Sequence, residues 1–195
     1  YRTAYGTDNT YLLDSAAAHP RRIASIVLLD PFDANTPWIV RSMVRDGHAA
    51  GVRFSGSVDA KNGGYPWLTG SVARKTWQAA NELGIVIVLM PVPPNAPDPG
   101  VLAAIAENAR RFPNVQVVLD HCGWPNLQGG PDHGLTAAHL AFKPLRNVYF
   151  KLSSINLEAL AAANLPSADF VRHLVDTFGA DRILWGSDFG NTPAP

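Results

Sequence analysis

Two residues in this sequence combine a titratable side chain with a place at the end of a strongly apolar run. His121 lies in VVLDHCGWP (residues 117–125) and Asp188 in RILWGSDFGN (residues 182–191). An imidazole and a carboxylate held together can activate water: the carboxylate takes the proton while the imidazole steers the water or polarises the group under attack. A lone strand-end histidine can equally serve as a hydrogen-bond partner for loop backbone. What matters is whether the elements around residues 121 and 188 bring the two side chains together.

Apolar runs recur at residues 23–29, 51–55, 85–90, 115–121, 148–153 and 182–188. They are short, rich in Val, Ile and Leu, and nearly continuous in apolarity, as parallel strands buried on both faces should be. Helix signals lie between them. A first helix is expected over residues 10–18; Thr36 and Pro37 open the next, and Gly84 closes the segment from Val72. Asp98 and Pro99 open another, and Ser167 starts a segment that Gly179 closes.

Six parallel strands with intervening helices fit either an open doubly wound sheet or part of a barrel. No glycine-rich dinucleotide fingerprint follows any strand, and polar residues gather at the ends of several strands. The expected fold is therefore α/β, a (β/α)8 TIM barrel represented by about six βα units, with residues 1–195 as one domain. In such a barrel all carboxyl-terminal strand ends share one rim, which would unite His121 with Asp188. A whole barrel typically takes about 250 residues, so the first strands are expected before Tyr1 and the final helix beyond Pro195.

Composition narrows the partners. Hydrophobic residues make up 47% and charged residues 16%, enough to bury a core and leave no long disordered segment. Sixteen Lys and Arg balance sixteen Asp and Glu, and no basic stretch interleaves with aromatics, so nucleic acid is not an expected partner. The longest apolar runs, such as IVIVLM (residues 85–90), fall far below the roughly 20 residues needed to cross a bilayer. The expected partner is a small-molecule substrate. The single cysteine, Cys122, excludes an internal disulfide and suits a reducing compartment, the cytoplasm. Open sheet edges would also invite association with a second copy of the chain.

The runs LDHCGWP, NVYFKLSS (residues 147–154) and FGADRILWGSDFGN (residues 178–191) occur in the order and at the separations of the last three strands of the amidohydrolase-related proteins. The resemblance covers essentially the whole chain. Within that superfamily the sequence is most similar to the lactone hydrolases typified by 2-pyrone-4,6-dicarboxylate hydrolase, with the sugar lactonases as cousins. The resemblance implies that His121 and Asp188 are catalytic and that Asn191, three residues after the aspartate, holds substrate. The family's first strand supplies a His-x-His pair that is found nowhere in residues 1–195; its expected place is before Tyr1. Metal-using relatives also carry a His at the end of strand five, where this chain has Met90 and Pro91. The resemblance thus implies metal-independent chemistry without a cofactor, with zinc as the alternative.

Arg53, in GVRFSG, stands where dicarboxylate-binding relatives grip a substrate carboxylate, a task suited to the planar guanidinium fork; the bland alternative is an ion pair with a nearby acid. Two further basic residues of those relatives have no match here, Asp59 and Leu157 or Glu158 falling near their places, which argues against the pyrone dicarboxylate itself as substrate. Lys151 alternates with Tyr149 and Ser153 on a polar strand face expected to line the barrel interior, where it could fix a carboxylate or a catalytic Asp, or form a structural ion pair. Trp124, and His133 in the same glycine- and proline-rich loop, are candidates for substrate contact, as is the loop at residues 91–100 for covering the pocket. Successive strand residues point to opposite faces, so the side chains of His121 and Cys122 are expected to diverge, and Cys122 is expected to be a buried bystander rather than a nucleophile.

Three readings follow. The first is a hydrolase that opens a lactone with water activated by Asp188, His121 lying beside the carbonyl and Arg53, Asn191, Lys151 and Trp124 holding substrate. The second is a metal-dependent decarboxylase or amidohydrolase of the same fold. The third is an inactive truncated fragment or a binding module.

Overall fold

The computed structural model describes residues 5–46, 49–92 and 98–188. Among the described residues six strands form one sheet, every neighbouring pair parallel and in sequence order: β1 (Ile26–Leu28), β2 (Gly51–Gly56), β3 (Val86–Pro91), β4 (Gln116–Leu119), β5 (Val148–Ser153) and β6 (Ile183–Gly186). A doubly wound sheet reverses its order at a switch point; a sheet that lays each strand beside the last is a barrel wall. The helices are α1 (Thr10–Ala18), α2 (Thr36–Arg45), α3 (Pro66–Thr69), α4 (Ser71–Leu83), α5 (Pro99–Arg111), α6 (Ala137–Leu140), α7 (Ser154–Ala162) and α8 (Ser167–Phe178).

Local chemistry accounts for most of these boundaries. Gly84 caps α4 in the left-handed region at φ 64°, its N–H bonded to the Ala80 carbonyl. The Asp98 side chain accepts from the Gly100 N–H at 2.8 Å and opens α5, whose last turn carries Arg110 and Arg111 at the negative end of the helix dipole. Thr36 and Ser167 are the first residues of α2 and α8, with Asn35 and Pro166 at the cap positions. The Thr36 hydroxyl ties α2 to the β1 end by donating to the Asp30 carbonyl at 2.6 Å.

Three strands are shorter than their apolar runs suggest. β1 keeps only three residues of 23–29, β6 stops two residues before Asp188, and β4 stops at Leu119, where the chain enters a turn over Asp120–Gly123. His121 and Cys122 have φ of 53° and 58°, so neither extends the strand.

Val52, Ile87, Leu89, Val117, Leu119, Val148 and Phe150 are buried beneath Trp77, Leu102, Ile105, Leu160, Phe170 and Leu174 of the helices. Polar side chains staple the layers. The Asn9 amide pairs with both the N–H and the carbonyl of Leu28 at 2.8 Å, doing for β1 what a strand neighbour would do. Arg182, buried just before β6, donates to the carbonyls of Phe178, Phe142, Leu145 and Lys143 and so fixes the strand that leads to Asp188. Among the described residues no helix is long and apolar enough to cross a membrane.

Candidate active site

At the carboxyl end of β4 the chain turns and presents Asp120 inward. Its carboxylate is buried, with Oδ2 2.8 Å from Arg53 Nε of β2 and Oδ1 2.5 Å from Lys151 Nζ of β5. The two cations are 26% and 29% exposed, so each keeps part of its surface for another partner. Arg53 also donates through Nη2 to Met90 Sδ at 3.0 Å and lines a cleft of about 410 Å³ together with Ser55, Leu28, Asp30 and Phe32. Two cations against one carboxylate leave one positive charge in excess beside the strand ends. The ion pair weighed for Arg53 and Lys151 is thus present for both, with the same acid.

His121 follows directly and is buried. Its Nδ1 lies 2.7 Å from Ser153 Oγ at the end of β5, and its carbonyl accepts from Asn156 Nδ2 at 3.1 Å. The Trp124 ring lies 4.2 Å from the imidazole, tilted by 43°. Burial pushes the His121 pKa below its ordinary value; the charges of Asp120 and Asp188 pull it up, and those of Arg53 and Lys151 push it down again. The turn is held from below by His139, whose Nε2 donates to the Gly123 carbonyl at 3.2 Å while Nδ1 accepts from the Thr136 N–H at the same distance.

Asp188 stands half-buried two residues past β6, at φ 49°, and its charge reaches the His121 ring across β5. The segment before it is anchored by the Ser154 hydroxyl, which donates to the Ser187 carbonyl at 2.7 Å. Arg53, Lys151, His121 and Asp188 therefore gather at one end of the sheet, as a parallel barrel requires. Asn191, His48 and residues 93–97 lie outside the described residues.

Other expectations need adjustment. Cys122 is buried and its thiol pKa is pushed up by burial, so it is no nucleophile, but strand alternation is not the reason: both it and His121 sit in a left-handed turn. The Trp124 indole N–H is buried without a partner among the described residues. His133 makes its ring contacts with Phe170 and His173 of α8, at 5.7 and 5.8 Å. Asp59 accepts from the N–H groups of Lys61 and Asn62 and builds its own turn; Leu157 packs on the core and Glu158 is exposed.

Asp120, Ser153 and Asn156 escaped notice as functional candidates. Two basic residues on buried strands demand a buried acid, and Asp120 is the acid beside the motif histidine. Ser153 and Asn156 carry the Ser-x-x-polar spacing of a helix start, which conceals their second task.

The sequence matches the family model for amidohydrolases over residues 1–194. The chain belongs to the amidohydrolase family. This amidohydrolase is 28% identical over 186 residues to L-fucono-1,5-lactonase of Burkholderia ambifaria, a match covering 93% of this chain and 60% of that protein. Its fold resembles that of a protein provisionally named 2-pyrone-4,6-dicarboxylic acid hydrolase, from Pseudomonas putida, with a TM-score of 0.67 at 26% identity, covering 95% of this chain and 64% of the other. It also shares the fold of an amidohydrolase from Burkholderia multivorans solved with bound zinc, with a TM-score of 0.61 at 21% identity, covering 93% and 64%. The chain spans 60–64% of the length of these relatives.

The zinc-bound relative raises the question of whether this amidohydrolase offers a zinc site. Among the described residues no group of three His, Cys, Asp or Glu side chains could hold an ion, whereas catalytic zinc typically draws three protein ligands. Both oxygens of Asp120 already face cations. The described residues by themselves do not fit a zinc centre.

Proposed function

We propose that this amidohydrolase opens a lactone, or a related cyclic ester, by adding water without a metal. Asp188 serves as the general base, and His121 lies beside the attacked carbonyl. Arg53, Lys151, Trp124 and Asn191 hold the substrate, and residues 1–195 act as one barrel domain. The observation that supports this reading most directly is that His121 and Asp188 follow the carboxyl ends of β4 and β6, on either side of β5, so that both face the same end of the sheet. The excess positive charge of the Arg53–Asp120–Lys151 group favours a substrate that carries a carboxylate or develops negative charge as it reacts. The lactonase relative supports the same reaction class.

The test is a panel of neutral and carboxylated lactones offered to the complete gene product, in buffer with and without chelator. Turnover is expected, unaffected by the chelator, with kcat reduced by about 10²–10⁴ in Asp188→Asn, because an amide cannot take the water's proton. Near-normal activity in that variant would remove Asp188 from the mechanism, and activity abolished by the chelator would replace the reading with a metal-dependent one.

A further inference from the structure

Hydrogen-bond partners locate the proton on His121. The Asn156 amide lies between two backbone groups that each allow one role. The Ser153 N–H can only donate and reaches Oδ1 at 3.0 Å; the His121 carbonyl can only accept and receives Nδ2 at 3.1 Å. The amide orientation is thereby decided. The Ser153 hydroxyl lies 3.1 Å from the same Oδ1, an atom that can only accept, so both of its contacts are hydrogen bonds only when it gives its one proton there. With that proton committed, Ser153 Oγ can meet His121 Nδ1 at 2.7 Å only as an acceptor, so Nδ1 carries the ring hydrogen.

We infer that Ser153 and Asn156 are positioning residues that hold neutral His121 as its Nδ1–H tautomer, leaving the Nε2 lone pair to bind the reacting water. The inference rests on the hydrolase reading and separates the two parts an imidazole could play in it. A ring with a bare Nε2 cannot polarise the carbonyl oxygen by donation. It accepts one O–H of the water while Asp188 accepts the other, which aims the water's oxygen at the carbonyl carbon. As the carbon–oxygen bond forms, the second proton passes to Asp188; the ring ester bond breaks, and the departing oxygen takes that proton from Asp188 as it leaves, which returns the carboxylate to its starting state. Burial keeps the ring neutral for this work. An imidazole free in water favours the Nε2–H form, so the relay acts against the intrinsic preference of the side chain. His139 provides an internal contrast: its Nδ1 accepts from the Thr136 N–H, so its hydrogen sits on Nε2 and is donated to the Gly123 carbonyl.

The tautomers can be read from long-range proton–nitrogen spectra of the complete gene product labelled with ¹⁵N-histidine, with His121→Gln and His139→Gln assigning the signals. The expected result is Nδ1–H at His121 and Nε2–H at His139. Ser153→Ala should move His121 toward Nε2–H and lower kcat by about 10–100-fold with little change in KM, the scale typical of lost second-sphere orientation; Ser153→Thr should restore both. An Nε2–H signature at His121 in the unaltered protein, or a signature that Ser153→Ala leaves unmoved, would overturn the inference. Because the spectra need no substrate, the two readings fail separately. Nδ1–H in a protein that turns over no lactone would sink the lactonase reading alone, and lactone turnover with Nε2–H at His121 would sink this inference alone.

Discussion

Asp120 shows how one side chain can draw together residues from separate strands. Its carboxylate draws Arg53 and Lys151 from strands on either side of it, and their remaining donors are left beside His121. Asp120→Asn should cost about 1–3 kcal/mol, measured as a shift in the urea midpoint, because the hydrogen-bonded ionic partner of two cations is removed. The loss should fall short of the roughly 3–5 kcal/mol seen when a fully buried partner is stranded, since both cations keep some access to water. An unchanged midpoint would mean that Arg53 and Lys151 find other partners without loss. Arg53 and Lys151 were legible in the sequence as unusual bases on apolar strands; their shared partner was not, because β2, β4 and β5 become neighbours around Asp120 only when the sheet assembles.

At the scale of elements, two glycines answer to different physics. Gly84 ends α4 in the left-handed region with open space where a Cβ would go, so Gly84→Ala should cost about 1–2 kcal/mol from backbone strain alone. Gly51 begins β2 against β3, and a Cβ there would lie 2.3 Å from the Val86 carbonyl oxygen. The alanine variant at Gly51 must push two paired strands apart, and thermal melts should show it destabilised well beyond Gly84→Ala. Equal effects would mean that the β2–β3 spacing yields easily. The helix punctuation at Gly84, Asp98 and Gly179 is legible because caps depend on nearest neighbours. The ends of β4 and β6 are not, because the apolar run continues past the point where the backbone turns: residues 120–123 and 188 take left-handed or turn conformations that sequence alternation cannot reveal.

For the molecule as a whole, buried histidines set a pH dependence. Burial depresses the pKa of both His121 and His139 below the ordinary 6.5, with the Asp120 and Asp188 charges opposing it at His121 and the bond to the Gly123 carbonyl opposing it at His139. The unfolded chain therefore binds more protons than the folded one once the pH falls below about 6.5. The contribution of the neutral rings to stability is complete above that value and is lost as the pH drops toward the depressed folded pKa values. Urea midpoints should accordingly be lower at about pH 5.5 than at about pH 7.5, and the difference should shrink in His139→Gln. A pH-independent midpoint across that interval would show that the rings are protonated in the folded state.

The sequence by itself determined the parallel α/β pattern, the association of His121 and Asp188 with the fourth and sixth apolar runs, and the family, because periodicity, caps and contiguous motifs are properties of the chain read in order. It left open which acid Arg53 and Lys151 pair with, and which side chains surround His121. Those matters were decided by tertiary structure. Arg53, Asp120 and Lys151 meet across gaps of 67 and 31 residues, and His121 meets Ser153 across 32. Such contacts arise only when the closing sheet brings the ends of separate strands to one rim, where burial makes every unpaired charge and donor costly and so selects the partners that are found.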